Sequence, residues 1–247
     1  MSTKFRNVYL PIILLVSVIT TPIACIYGFK QLLDVHARNI EMESRQRMQN
    51  QIADVKSGES SVIIVMEGSA SRDELIQAKD TFESSDRFEL AIEYTQDVDK
   101  FLGQIAGLRG VRRLYFHQTD VTDAGLVHVA TFPDLEKLML ERGKITDVGI
   151  EALQACPKLE KLVIEPYRAN VISIAKIVKL PHLLRLVLHD PEGGGWINQA
   201  LSELETNTLL EELTLSTNDI SAEDLQRLQN ALPNCKITLQ KQGQHGK

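Results

Sequence analysis

Side chains that could do chemistry recur every 24 residues in the middle of this 247-residue chain. His117, Glu141, Glu165 and His189 carry the imidazole and carboxylate groups used by metal sites and acid–base catalysts. If they occupy equivalent points on four adjacent strands, they form a row in which the two histidines lie about 14 Å apart. Zinc ligands must instead converge on one point at about 2 Å. The spacing therefore disfavours a metal site, and we expect the protein to use no metal or cofactor.

Known catalytic motifs give no better support for an enzyme. The sequence contains no G-x-S-x-G, no H-E-x-x-H and no Walker motif. The glycines at 193–195 could suggest a phosphate-binding loop, but no lysine follows them at the required spacing. A flexible insertion is the favoured interpretation, and we expect a non-enzymatic protein.

Two further columns with the same spacing point to binding. Successive strands would present a basic column and, next to it, an apolar column. Glu141 and Glu165 would lie on the far side of the apolar column. Contiguous apolar surface often marks a contact site. The alternative is that these positions simply favour β-formers and that the charges cancel as cross-strand pairs. The predicted partner-binding residues are Tyr115, Met139, Val163, Val187, Arg113, Lys137, Lys161, Arg185, Glu141 and Glu165.

The elements that position these columns are encoded by two similar sequence repeats in residues 108–159. GVRRLYFHQTDVTDAGLVHVATFPDLEKL is followed by DLEKLMLERGKITDVGIEALQACPKLEKL, so that Leu114 corresponds to Leu138 and Gly125 to Gly149. A fixed period of this length indicates a repeat array. In each copy an apolar alternation predicts a strand, and a following stripe at helical spacing predicts a short helix. Thr122 or Asp123 would cap the first of these helices, and Thr146 or Asp147 the second.

The pattern L-x-x-L-x-L followed by I-T-D-x-G-[LI]-x-x-L resembles the 24-residue type of leucine-rich repeat. The resemblance implies an α/β solenoid, with a curved parallel sheet on the concave side, helices on the convex side and protein binding as its usual role. The chain departs from the family after most strands, where the usual asparagine is retained only at Asn218. The other matching positions are Thr119, Gly143, Tyr167 and Pro191.

The period also sets the boundaries of a repeat domain over residues 59–240. Residues 61–86 are expected to form a strand–helix cap with a capping box from Ser71 to Glu74. Residues 87–110 follow as a degenerate repeat, because Leu90 precedes Leu114 by one period. Five repeats over 111–233 and a terminal strand over 234–240 complete the domain. A disordered tail is expected at 241–247.

An uncharged stretch at 8–29 precedes the domain. As a helix it would be about 33 Å long, enough to cross a bilayer core of roughly 30 Å. We expect a single-pass membrane anchor with a short tail at 1–7 and an extracytoplasmic repeat domain. The alternatives are a cleaved signal peptide and a lipoprotein signal ending at Cys25.

Residues 30–58 are polar and predict a solvated helical stalk. Their apolar stripe is too broken for a regular coiled coil. The alternative function is nevertheless a scaffold that oligomerises through this stalk.

Charge and cysteine content exclude some remaining possibilities. The net charge of −6 and the absence of a cluster of basic residues along the sequence disfavour nucleic-acid binding. Cys156 and Cys235 would lie three repeats apart, beyond the Cα separation of about 7 Å that a disulfide permits. We therefore expect both to be small buried apolar residues. The sequence predicts a membrane-anchored protein-binding module.

Overall fold

A computed structural model describes residues 4–66, 69–141, 143–165, 174–190, 196–217 and 220–240, without the side chains of residues 4–29, 32, 69, 196 and 199. The chain divides into two compact units, Met1–Gln46 and Arg47–Lys247. All strands described below belong to the second unit.

The strands of the described residues form one parallel sheet of eight, ordered as in the chain. This confirms the expected parallel sheet, including a strand in the cap and one at the end. The strands are β1 (Val62–Val65), β2 (Phe88–Glu93), β3 (Val111–His117), β4 (Lys137–Glu141), β5 (Lys161–Glu165), β6 (Arg185–His189), β7 (Glu212–Ser216) and β8 (Lys236–Gln240).

The register follows the repeat period. Leu90, Leu114, Leu138, Leu162, Leu186 and Leu213 pair in succession across β2 to β7, as predicted. Each of these leucines is at most 1% exposed. The step from Leu186 to Leu213 is longer than one period, and the glycine insertion predicted to account for the difference lies outside the described residues.

Helices alternate with the strands and share one hydrophobic core with them. From β3 onward each described helix contributes apolar residues to it, such as Leu126, Ile150, Leu201 and Leu228. The helices are α1 (Lys4–Ser57), α2 (Ser69–Ala78), α3 (Val98–Gln104), α4 (Asp123–Val129), α5 (Asp147–Ala152), α6 (Ile174–Ile177), α7 (Trp196–Leu204) and α8 (Ala222–Ala231), with 3-10 turns at Lys79–Thr81 and Leu153–Ala155.

The cap of the domain differs from the expectation in one detail. Helix α2 begins at Ser69, so Ser71 lies inside its first turn and is 6% exposed. Ser71 is therefore not at the N-cap position that the predicted capping box requires. The core residues Leu75 and Phe82 are nevertheless buried as the pattern requires.

Helix α1 includes the stretch 8–29 that the sequence predicts as a membrane anchor. The side chains of that stretch lie outside the described part of the chain. Within the described part of the chain, no helix is both long and apolar enough to span a membrane. The membrane anchor therefore stays a prediction.

The last turns of α1 cover the edge of the sheet. Met48 and Val55 are buried in the core, and the side-chain oxygen of Gln51 accepts a hydrogen bond of 2.9 Å from the amide of Ile64 in β1. Lys56 also pairs with Asp86 at 2.9 Å. A covered edge strand cannot pair with another chain. Residues 47–57 are thus part of the repeat unit, which corrects their assignment to a solvated stalk.

The Thr-Asp-x-Gly motif links neighbouring repeats at two successive junctions. Thr146 caps α5 by accepting from the amide of Val148, which identifies threonine as the capping residue. Asp123 of the preceding repeat accepts both from the Thr146 amide, at 2.8 Å, and from its hydroxyl, at 2.6 Å. Asp99 makes the same pair of bonds to Thr122. The aspartate thus reaches across the junction between repeats.

The glycine of the motif leaves room for that carboxylate. A Cβ on Gly149 would collide with Oδ1 of Asp123, and one on Gly125 with Oδ1 of Asp99. Neither glycine has a positive φ angle, so close approach is the reason for glycine here. Threonine, aspartate and glycine together form one device that recurs at successive junctions between repeats.

A buried carboxylate fixes the other end of the strands. Asp134 is 1% exposed and accepts hydrogen bonds from the Ser84 hydroxyl, at 2.6 Å, from the Gly110 amide, at 3.1 Å, and from Lys158, at 2.8 Å. Burial opposes its ionisation, but these three donors and the lysine charge outweigh burial and lower its pKa to about 2. Asp134 therefore stays charged and joins the cap to three consecutive repeats.

We expect Gly149→Ala to destabilise the domain by about 1–2 kcal/mol, because overpacking costs more than the gain in helix propensity. In the Asp123→Ala background the same change should cost at least about 1 kcal/mol less, because the clashing carboxylate is gone. Urea unfolding of the four proteins of this double-mutant cycle measures the coupling. Additive effects would show that the glycine does not make room for the aspartate.

Candidate functional site

The face of the sheet that does not contribute to the core carries the predicted binding residues. Along β4, Leu138 and Leu140 are buried, whereas Lys137, Met139 and Glu141 are half-buried. Alternate residues of a strand point to opposite faces, so the second set faces away from the core. We call this the outer face of the sheet.

Three rows cross the outer face, and the register confirms that the members of the basic and middle rows lie side by side. Their role in binding stays a prediction. The basic row is Arg113, Lys137, Lys161 and Arg185; the middle row is Tyr115, Met139, Val163 and Val187; the end row is His117, Glu141, Glu165 and His189, of which Glu141 and Glu165 pair in register.

The middle row is not one continuous apolar strip. Tyr115, Met139 and Val187 are half-buried, but Val163 is only 4% exposed. Longer side chains stand on the same face beside it, including Met139 on the adjacent strand and Lys161 on its own. Val163 therefore offers almost no surface to a partner, which corrects its place among the predicted contacts.

A shallow pocket opens where the middle and basic rows meet. Its volume is about 170 Å³, and its walls belong to β2, β3 and β4. The pocket can accept a medium-sized apolar group and places charged groups at its rim. It is lined by Glu89, Arg113, Leu114, Tyr115, Lys137 and Met139.

The basic row is paired only at its ends. A guanidinium nitrogen of Arg113 lies 3.7 Å from Glu89, and one of Arg185 lies 2.9 Å from Glu160. Lys137 and Lys161 have no ion-pair partner within the part of the chain that the structure describes. Burial and the neighbouring charges of Lys161 and Arg113 lower the pKa of Lys137, while Glu89 acts in the opposite direction.

A hydrogen-bonded cluster occupies the end row. His117 Nδ1 donates to Oε2 of Glu141 at 2.5 Å, because a carboxylate can only accept. The hydroxyl of Tyr115 donates to Oε1 of the same carboxylate at 3.0 Å. The hydroxyl of Tyr94 lies 3.2 Å from His117 Nε2, and the two rings meet edge to face. Glu141 thus fixes both the histidine and Tyr115.

Ionisation of Tyr115 is strongly disfavoured in this cluster. Burial raises the pKa of its hydroxyl, and so do the hydrogen bond to Glu141 and the charges of Glu141, Glu93 and Glu165. Tyr115 therefore acts as a neutral hydrogen-bond donor with a fixed ring. Its ring also stacks against that of His117, with centroids 5.9 Å apart.

Metal ligands do not converge in the cluster or elsewhere in the described ranges. There, no three His, Cys, Asp or Glu side chains are arranged to hold a metal ion. The end row extends from strand to strand instead of surrounding a point. Its chemistry is that of hydrogen bonding and charge.

Tyr94 and Glu89 are site residues that the sequence analysis missed. Tyr94 follows β2 and has a left-handed backbone with φ of 50°, as does Gln118, one repeat later, with φ of 49°. Its amide donates to the carbonyl of His117. The repeat period could have pointed to Tyr94, because it places the preceding residue, Glu93, beside His117 of the next strand.

Several predicted features belong to parts of the chain that the structure does not describe. The glycines at 193–195, the family positions Tyr167, Pro191 and Asn218, the possible lipidation site Cys25 and the tail 241–247 lie outside the described residues or side chains. Cys156 and Cys235 are described and carry free thiols. Burial raises the pKa of Cys156 to about 11, so it is an unreactive core residue.

Comparison with known proteins adds little to this geometry. No protein-family model matches the sequence. No curated protein matches it either. Among solved structures the chain is similar to an internalin from Listeria monocytogenes, with 14% identity and a TM-score of 0.42. The match covers 83% of this chain but only 64% of the internalin chain, and it assigns no function here.

We expect Glu141→Gln to lower the pKa of Tyr115 toward its ordinary value, because the change removes the adjacent negative charge. Alkaline titration of tyrosinate absorbance measures this, and Tyr115→Phe identifies the transition that belongs to Tyr115. Glu203→Gln, an exposed change outside the cluster, is the control. An unchanged Tyr115 transition in Glu141→Gln would contradict the assigned hydrogen bond.

Proposed function

We propose that this protein is a non-enzymatic protein-binding module that holds its partner on the outer face of the repeat sheet and is tethered to a membrane by its N-terminal helix. The observation that carries the proposal is the pocket bounded by Tyr115 and Met139. It combines half-buried apolar surface with charged groups of both signs, as interface cores and rims do.

The residues around the pocket suit a binding surface. Tyrosine and methionine are enriched in protein interfaces, and a fixed aromatic ring loses little entropy on binding. One hydrogen bond to Glu141 and contact with His117 already hold the ring of Tyr115 in place. The surface is therefore preorganised, which favours affinity.

Membrane attachment rests on the sequence of residues 8–29. This uncharged stretch is long enough for one crossing, and Lys4 and Arg6 precede it. In this proposal residues 1–7 form a cytoplasmic tail, and the repeat domain is extracytoplasmic. The anchor would hold the outer face near other membrane or surface proteins.

A scaffold that oligomerises through the stalk is the second candidate. Leu33 and Ile40 lie one heptad apart on α1 and are 51% and 53% exposed. On the opposite side of the helix, Val35 and Met42 are 46% and 63% exposed. Apolar residues at heptad spacing lie on one helical face and can pair with a second helix.

Replacing both Tyr115 and Met139 by Asp should abolish partner capture by the full-length chain, because two carboxylates would enter the apolar pocket. The matched control is Val127→Asp with Val148→Asp, which alters two exposed valines of α4 and α5. Crosslinking in intact membranes followed by mass spectrometry identifies the partners of each variant. Thermal unfolding verifies that both variants are folded.

Loss of the same partners in both double variants would contradict a site on the outer face. Unchanged partners in the Tyr115 and Met139 variant would do so as well. If those unchanged partners are copies of this chain and are lost in Leu33→Asp with Ile40→Asp, the scaffold role is supported instead.

We expect the full-length chain to remain in the membrane fraction after alkaline carbonate extraction, because a spanning helix is not released by loss of charge contacts. Replacing Leu14 and Leu15 by Lys should release it, since each charge in the centre of the span costs about 3 kcal/mol. Release of the unchanged chain would contradict the anchor. Added protease should digest the repeat domain from the extracytoplasmic side.

A further inference from the structure

We propose that the partner binds through an acidic segment whose carboxylates lie on Lys137 and Lys161 while an adjacent apolar side chain enters the pocket between Tyr115 and Met139. This inference rests on the proposed function and names the chemistry of its partner. It is based on Lys137 and Lys161, the two central residues of the basic row, which have no ion-pair partner among the described residues.

Four cations stand side by side across β3 to β6. The register pairs Arg113 with Lys137, Lys137 with Lys161, and Lys161 with Arg185. Adjacent strands lie about 4.8 Å apart, and like charges directly opposite each other destabilise a sheet. The free protein therefore carries a repulsion that a neutral residue at either lysine would relieve.

The ends of this row are neutralised within the protein, but its centre is not. Glu89 lies beside Arg113, and Glu160 beside Arg185. Lys137 and Lys161 have no such partner among the described residues. The positive charge that remains is thus concentrated on β4 and β5, and Lys137 also forms part of the pocket wall.

The half-buried position of Lys137 further disfavours its positive charge. Burial and the neighbouring charges of Lys161 and Arg113 lower its pKa, and Glu89 offsets them only in part. A carboxylate from outside would favour the charged form and remove the repulsion. An anion that binds at this point is therefore held with a more favourable free energy than one that binds at an isolated surface lysine.

The surroundings favour a short acidic protein segment over a nucleic acid. Glu89 lies on one side of the lysine pair, and Glu141 and Glu165 lie further along the same face of the strands. These carboxylates would repel a continuous phosphate backbone, and the chain has a net charge of −6. A segment with two carboxylates beside one apolar side chain is short enough to contact the lysines and the pocket without extending to Glu141 and Glu165.

Fluorescence anisotropy on the full-length chain in neutral detergent tests the proposal with labelled probes. The main probe is a peptide of alternating glutamate and leucine. A glutamate–serine peptide, a lysine–leucine peptide and an oligothymidylate are the comparison probes. The variant Lys137→Met with Lys161→Met is compared with Lys100→Met with Lys179→Met, which removes the same charge from exposed positions outside the sheet.

We expect the glutamate–leucine peptide to bind the unchanged chain and the control variant alike. Removing Lys137 and Lys161 should weaken its binding by about tenfold or more, because two charge contacts are lost. Glutamate–serine should bind more weakly and lysine–leucine not at all. The same lysine variant should be at least as stable to urea as the unchanged chain, because the repulsion is gone.

Different failures separate this inference from the proposed function. Undiminished peptide binding by the lysine variant overturns the inference, and so does the absence of peptide binding to the unchanged chain. Equal or tighter binding of oligothymidylate overturns it in favour of a nucleic acid. If partner capture in membranes still depends on Tyr115 and Met139 in any of these cases, the proposed function stands without the acidic segment.

Discussion

Burial of leucines between neighbouring repeats is the constraint on which the whole domain depends. Leu138 is fully buried, yet it lies in register between Leu114 and Leu162, which belong to other repeats. A buried leucine contributes about 2 kcal/mol, and no single repeat could bury enough of them to offset its own loss of conformational entropy. The Asp–Thr bonds and their glycines act at the same junctions and hold the repeats at the spacing that burial requires.

The same register creates the outer face and its electrostatic character. Because inward positions must match from one repeat to the next, the positions between them also align, and identical charges become neighbours across strands. Arg113 and Arg185 form ion pairs with Glu89 and Glu160, whereas Lys137 and Lys161 form none among the described residues. At the other end of the strands, Glu141 instead collects donors from His117 and Tyr115. The repeat spacing that the core requires therefore also produces the outer face, on which Lys137 and Lys161 lie beside the pocket without an ion pair among the described residues.

Much of this fold was predictable because the period is visible in the aliphatic residues. Leu90 and Ile237 could be placed in the sheet by counting, although the motifs around them are weak. Contacts made between repeats could not be read in the same way. Asp123 is a good capping residue in isolation, and only the structure shows that its carboxylate bonds to Thr146 of the next repeat.

The candidate site was predicted in its rows but not in its exposure or bonding. Burial of Val163 depends on the side chains that surround it on the folded sheet, which no pattern along the chain reports. The hydroxyl of Tyr94 lies beside His117, and the backbone of Tyr94 is left-handed. A tyrosine in a sequence seldom indicates that conformation. Covering of the edge strand by Met48 and Val55 likewise depends on a tertiary contact between α1 and β1.

Amide hydrogen exchange of the full-length chain tests most directly whether the repeats are stable only together. We expect the amides of Leu114, Leu138, Leu162 and Leu186 to exchange with one common free energy of opening, because each repeat loses its core when a neighbour unfolds. Free energies that differ widely between these strands, with one repeat protected while its neighbours are open, would contradict it.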